Sequence, residues 1–285
     1  DHPARFYCNG HFVYAWDYSR TLPRCGDDKC HFADQPGMTA LGIRFAKIIR
    51  LAAYVLGERD DILELSALIE HSEAALNDRL WDEETGLYRW RTDAHGQLPM
   101  YGIDSCYPLL SNSAPPARAR RLLKHATDPD GMWTKYGVTM VPRHSEYFRM
   151  DGYWNGAIWI PPQWFMWKAF YNSGQVAQAR TLADRVMRLW ETNHDDTKCC
   201  WEKFCLANGK GSANSRFSGL STPILALARA ARKPGRVQFG HDVLVASRVR
   251  RDLTALDATL QAPFGRTRTG FSAVLKPNTA YTLEI

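Results

Sequence analysis

The stretch Asp151 to Phe165 reads D-G-Y-W-N-G-A-I-W-I-P-P-Q-W-F. Three tryptophans, a tyrosine, an acid and two amides fall within it, around a Pro-Pro step. Proline suits the first turn of a helix, because the N–H it lacks has no partner there anyway. Pro161-Pro162 therefore open a strongly apolar helix that ends near Ser173-Gly174, and the residues before it form its entry. That entry has two readings: a buried helix start, or a binding surface in which polar groups among aromatic rings hold a ligand. Taken alone, the stretch leaves both open. Its place between a candidate acid, Asp17, and a candidate base, Glu202, gives a split expectation: Asp151 to Trp159 face a ligand, and beyond the Pro-Pro step Trp164, Phe165 and Trp167 pack as core.

Outward from this helix, Val176, Ala179, Ala183, Val186 and Trp190 recur at helical spacing. Ser221-Thr222-Pro223 cap and start a last helix that stops at Pro234-Gly235. Upstream, Met38, Leu41, Phe45, Ile48, Ala52 and Val55 predict a helix over 37–56, with Gly57 as its stop. Ile62, Leu65, Ile69, Leu76 and Leu80 predict a second over 61–80. W-D-E-E-T-G-L-Y, Trp81 to Tyr88, reads as a turn closing on Gly86. A short apolar helix is expected over 104–110, and Pro115-Pro116 open another that runs to about Ala126. These are about seven helices, paired by short turns and separated by long loops rich in Gly, Trp and His, with no exact repeat period. Long loops in a compact domain are usually functional. The pattern predicts a mainly α fold, a toroid of helical hairpins with its functional loops at one end. After Gly235 the character changes. Phe271, Ala273 and Leu275 alternate, as do Tyr281, Leu283 and Ile285, around the turn K-P-N-T. The expected organisation is a helical domain over 1–235 and a small β-rich region over 236–285.

The 285 residues suffice for one large domain, or one plus a small one, with a sizeable core. No apolar run approaches the roughly 18 residues of a membrane helix. The net charge is +6, with arginines scattered among acids and no basic stripe for nucleic acid. Neither a membrane nor a nucleic-acid partner is expected. The start, D-H-P-A-R-F-Y-C, lacks the apolar segment of a signal peptide, and the compartment stays open. No Gly-rich phosphate loop precedes a helix and G-x-S-x-G does not occur. The chain holds ten Trp, twelve Tyr and twelve Phe. Indole and phenol faces stack well on sugar rings, so this enrichment fits a carbohydrate ligand; a Trp-rich core is the other reading.

Hydrolysis of a glycosidic bond needs two carboxyl groups, one to protonate the leaving oxygen and one to activate water or attack carbon. In A-W-D-Y-S-R, Asp17 lies between Trp16 and Tyr18, and apolar neighbours favour the protonated form that a general acid needs. A capping or salt-bridged aspartate fits the same pattern. In C-W-E-K-F-C, Glu202 lies between Trp201 and Lys203, just before the polar loop A-N-G-K-G-S-A-N-S (Ala207 to Ser215), which suits a substrate rim. A surface Glu pairing with Lys203 is the alternative. Asp27-Asp28 beside Cys25 reads as a solvated loop. Seven cysteines are an odd number, so at least one is unpaired within the chain. Cys25, Cys30 and His31 with Cys199, Cys200 and Cys205 match no standard zinc spacing, and a disulfide or free thiols are favoured over metal.

Taken in order, these segments resemble the inverting α-glycosidases with an (α/α)6 barrel: the trehalases (family 37) and the family 63 enzymes, which include oligosaccharide glucosidases and mannosylglycerate hydrolases. A-W-D-Y-S-R is similar to the trehalase stretch that carries the acid. W-D-E-E-T-G-L-Y, I-D-S-C-Y-P-L-L (Ile103 to Leu110) and M-W-T-K-Y-G-V-T-M (Met132 to Met140) resemble family 63 segments. Y-W-N-G-A-I-W-I-P-P (Tyr153 to Pro162) is similar to the Tyr-Trp-x-Gly-x-x-Trp-x-Pro motif, and W-E-K-F to the stretch with the catalytic base. The resemblance spans about residues 12 to 232. It departs at Asn155, where many members carry Arg, before Arg20, where a proline or second serine is missing, and in the Cys-rich segments. It implies a six-hairpin glycosidase with Asp17 as general acid and Glu202 as base. It places Trp16, Asp151, Tyr153, Trp154, Asn155, Trp159, Trp201 and Phe217 around a carbohydrate substrate, with no metal or cofactor. A full barrel has twelve helices, so the resemblance also implies that this chain is the C-terminal part of a longer toroid, or that a second chain supplies the remaining helices. The competing expectations are a carbohydrate-binding pseudoenzyme or scaffold, and a toroid epimerase or lyase using His11, His31 or His144.

Overall fold

A computed structural model describes residues 5–7, 32–92, 96–97, 101–150, 152–265 and 269–282. Strands β1 (Arg5–Tyr7) and β2 (Phe32–Asp34) pair antiparallel and lead into α1 (Pro36–Leu56). Pro36 sits in the first turn of α1, and Gly57 ends it in the left-handed region at φ 83°, a conformation glycine adopts without strain. Helix α2 (Arg59–Arg79) returns antiparallel, with Asp60 and Asp61 in its first turn and Arg79 in its last, each sign favourable to the helix dipole. Trp81 to Tyr88 forms the expected tight turn, as the hairpin of β3 (Trp81–Asp82) and β4 (Leu87–Tyr88). Asp82 builds it by accepting from the Glu84 N–H at 3.1 Å and the Thr85 hydroxyl at 2.6 Å. Strands β5 (Arg91–Thr92) and β6 (Gly96–Gln97) extend the β1–β2 sheet.

A 3-10 helix (Ile103–Leu109), α3 (Pro116–Ala126) and the hairpin of β7 (Trp133–Thr134) and β8 (Gly137–Val138) come next. Helix α4 (Ile160–Asn172) then starts at the Pro-Pro step, and α5 (Val176–Thr197) packs back on it. β9 (Lys203–Phe204) and β10 (Gly211–Ser212) form a short hairpin before α6 (Ser218–Ser221) and α7 (Pro223–Arg232). Seven α-helices thus stand among the described residues. None is long and apolar enough to cross a membrane. Their shared core holds Leu76, Leu80, Trp90, Leu122, Trp159, Phe170 and Phe204. Trp167 lies in it, with Trp164 and Phe165 packed half-buried against it.

The C-terminal segment is β, with one change from expectation. Phe271 to Ala273 forms β14 and pairs with β11 (Val237–Phe239), while β12 (Leu244–Val249) and β13 (Leu256–Gln261) form a hairpin. Strand alternation does not extend to Tyr281 and Thr282, and Leu283 and Ile285 lie outside the described residues. Instead the Tyr281 hydroxyl donates to the Leu253 carbonyl at 2.7 Å, tying the tail across the hairpin. These strands sit at the C-terminal end of α4. There Gly270 N–H donates to the Tyr171 carbonyl at 2.6 Å, and Asn172 Oδ1 accepts from the His241 N–H at 2.6 Å.

Candidate active site

The opposite, N-terminal end of α4 gathers the segments singled out by the sequence. Ile158 and Phe204 exchange two backbone hydrogen bonds of 2.9 Å, which lock the Tyr153–Pro162 motif against the strand that follows Glu202. Below them, the buried Gln163 on α4 bonds both polar groups of Val138 and the Trp159 carbonyl. Three separate stretches are thereby fixed at one point, and the polar groups of the buried Gln163 amide are matched there.

Glu202 is 9 % exposed and forms no salt bridge among the described residues. The alternative, a surface pairing with Lys203, does not occur. One carboxylate oxygen accepts from the Tyr153 hydroxyl, and the other from the Asn214 N–H at 3.1 Å. The backbone closes a second link there, because the Glu202 N–H donates to the Asn214 carbonyl at 2.8 Å. Tyr153 is itself perturbed. Desolvation first, and then its bond to Glu202 and the charge of that carboxylate, push its phenol up to about 12, so it remains a donor at neutral pH. Sequence reasoning did not single out Asn214. It contributes a main-chain N–H, which any residue but proline supplies, so no sequence signal marks it.

The aromatic residues divide by exposure. Trp154 lies half-buried and stacks on Trp159, with centroids 3.7 Å apart and planes within 5°. Trp159 is 1 % exposed and donates its indole N–H to the Tyr153 carbonyl at 2.7 Å. This corrects the expectation for Trp159, which is buried beneath Trp154 and shows no face to solvent. Asn155 needs the same correction. It is buried, its side-chain amide donates to the Tyr147 carbonyl at 2.7 Å, and its main-chain carbonyl accepts from the Arg149 N–H at 3.1 Å. Its contribution is to brace the loop. The glycine that follows is required by sterics, because a Cβ on Gly156 would overlap the Arg149 carbonyl. Trp201 is half-buried, its ring lies where a Cβ on Gly211 would be, and its indole N–H meets the Thr197 hydroxyl at 3.1 Å. Phe217 is exposed beside them, its N–H on the Cys200 carbonyl at 2.8 Å. Asp17, Trp16 and Asp151 lie outside the described residues.

Of the histidines, His144 is exposed and bonded to Tyr101 at 3.1 Å, and His11 and His31 lie outside the described residues. Cys199, Cys200 and Cys205 are free thiols. No cluster of three or more His, Cys, Asp or Glu side chains is arranged to hold a metal among the described residues. Cys25 and Cys30 lie outside them.

Comparison with known proteins places this geometry. The chain is 23 % identical over 239 residues to a probable mannosyl-oligosaccharide glucosidase of Schizosaccharomyces pombe, covering 74 % of this chain and 30 % of that protein. It is 25 % identical over 177 residues to a mannosylglycerate hydrolase of Rubrobacter radiotolerans, covering 61 % and 38 %. The crystal structure of a family 63 mannosylglycerate hydrolase from Thermus thermophilus in complex with glucose superposes with a TM-score of 0.60 at 25 % identity, over 69 % of this chain and 48 % of that one. The chain therefore spans less than half the length of these relatives. Its helices are those of the mainly α, trehalase-like toroid. Residues 12–218 match the mannosylglycerate hydrolase MGH1-like glycoside hydrolase domain, and the chain belongs to that family.

Proposed function

We propose that this chain carries the acid–base centre of an inverting glycosidase acting on an α-linked glycoside, with Asp17 as general acid and Glu202 as base. The observation that carries this reading is the setting of Glu202: a nearly buried carboxylate without a counter-ion among the described residues, gripped at both oxygens, beside the half-buried Trp154. A structural glutamate at such depth normally has a cation, because removing charge from water is expensive. A carboxylate held at both oxygens by neutral donors is fixed in orientation, as a general base must be. In the proposed step Asp17 protonates the glycosidic oxygen as the C1–O bond breaks. Water attacks C1 from the opposite face and passes its proton to Glu202, so the anomeric configuration inverts. The carboxyl groups would stand roughly 6.5–9.5 Å apart to leave room for that water. Trp154, Tyr153, Trp201 and Phe217 would meet the sugar, with Asp151 and Trp16 as further contacts.

The reading includes helices beyond the seven described, from the same polypeptide or a second chain. Its support is the second apolar face of α1, where Met38, Phe45, Ile48 and Val55 stand exposed opposite the buried Ala40, Ile43, Ala46 and Ala53. Unpartnered apolar stripes of this length mark packing surfaces. A Phe45→Glu change that leaves the folding and activity of the natural polypeptide untouched overturns this part.

The substrate is tested by offering mannosylglycerate and mannosyl-oligosaccharides to the natural polypeptide and following the product by proton NMR. Release of sugar with an inverted anomeric centre is expected, abolished by Asp17→Asn and by Glu202→Gln. Full hydrolysis by both variants overturns the assignment, and binding without turnover makes the protein a carbohydrate-binding pseudoenzyme.

A further inference from the structure

Resting on the reading of Glu202 as the base, we propose that Lys203 and Tyr153 are a coupled positioning pair, in which the ammonium acts on Glu202 through the tyrosine ring.

Glu202, in a bend, and Lys203, the first residue of β9, both reach Tyr153. The carboxylate meets its hydroxyl, and the ammonium lies 5.1 Å from its ring centroid. Lys203 is 9 % exposed, and its ammonium has no hydrogen bond or salt bridge among the described residues. An ammonium with a ring face as its described contact is attracted by the ring's electron density. It withdraws density from that ring and makes the phenol O–H a stronger donor. The stronger bond holds the carboxylate in one orientation. The remaining neighbour of the carboxylate is the neutral Asn214 N–H, from the loop that closes over it. Tyr153 is thus the titratable side chain bonded to Glu202 among the described residues, with Lys203 on its ring. The tyrosine ring is clamped edge-on by Trp159, with centroids 4.9 Å apart, so it transmits the effect from a set position. A lysine buried only for packing would touch Glu202 function no more than methionine of the same length does.

The test uses the natural polypeptide with carboxyl-13C-labelled glutamate, the Glu202 resonance being assigned by its loss in Glu202→Gln. Tyr153→Phe keeps the ring and removes the hydroxyl, and Lys203→Met keeps the bulk and removes the charge. Tyr153→Phe is expected to move the Glu202 carboxyl resonance, Lys203→Met to move it less in the same direction, and Lys203→Arg to restore the native position. In the double variant the lysine change should add nothing to the tyrosine change. For mannosylglycerate hydrolysis, kcat should fall about 3- to 10-fold in Tyr153→Phe with KM little changed. Equal and additive shifts from the two changes overturn the coupling, because the lysine then acts directly through space. An unmoved resonance overturns the pair altogether. A resonance that moves while Glu202→Gln retains hydrolysis keeps the pair and sinks the assignment of Glu202 as base.

Discussion

Two buried carboxyl groups in this molecule have opposite surroundings. Glu202 closes the polar end of α4. Asp104 opens the 3-10 helix, 3 % exposed, and accepts from the Trp90 indole N–H at 2.6 Å. Both have an aromatic donor, and a Cβ on Gly37 would lie 2.7 Å from that of Asp104. The difference lies in what else is near. Asp104 is enclosed by the core, and burial outweighs its hydrogen bonds and pushes it up to about 6. Glu202 has a phenol and a main-chain amide on its oxygens, and an ammonium on the phenol's ring. Burial and an aromatic donor therefore do not by themselves mark a catalytic group.

The comparison can be broken first by exchanging each carboxyl for its amide. Glu202→Gln is expected to lower turnover by about 10³-fold or more, within the range for removing a general base, while the melting temperature shifts little. Asp104→Asn should leave turnover within a few-fold, and an equal loss in both variants would erase the distinction.

Gly156→Ala tests whether the Tyr153 loop needs its glycine. With a methyl forced onto the Arg149 carbonyl, the loop must move. A destabilisation of about 3 kcal/mol or more is expected in chemical denaturation, together with loss of activity. Normal stability would show that the loop yields.

A pH series on stability sharpens the Asp104 side. Its folded value lies above the unfolded 3.8, so the folded state holds the proton more tightly. Its favourable contribution is therefore complete below about pH 4 and is lost as pH rises towards 6. The whole change is at most about 3 kcal/mol. Measured against Asp104→Asn, which does not ionise, the native protein should lose relative stability between pH 4 and pH 7. A flat difference would refute it.

The smallest effect is expected at an exposed acid. Glu83 is 79 % exposed, pairs with Arg121 at 2.5 Å and accepts from the Trp81 indole. Glu83→Gln should leave the melting temperature within experimental scatter, since solvent screens such a pair.

Much of the fold was legible along the chain because helices are local objects. The spacing of Met38 to Val55, the stop at Gly57 and the Pro-Pro start of α4 each depend on residues within one or two turns. The turn at Gly86 was legible for the same reason. The strands after Gly235 were harder. β11 finds its partner β14 far along the sequence, and the alternation of Tyr281 with Leu283 is as good a strand pattern as that of Phe271 with Ala273. Only pairing distinguishes them, and pairing is not a local property.

The site divides in the same way. Sequence by itself determined that Glu202 stands among aromatics before a polar glycine-bearing loop, that a Tyr-Trp-x-Gly motif precedes a helix, and that their order resembles a glycosidase. Tertiary structure decided which rings show a face. Trp154 and Trp159 are both motif tryptophans, yet one is half-buried and the other is its 1 %-exposed backing. It also turned Asn155 from a ligand contact into a brace, and Lys203 from an ion-pair partner into an ammonium on the Tyr153 ring. The physical reason is that residue types and spacings state what a side chain can do, whereas exposure and partner choice arise only when distant segments close on one another.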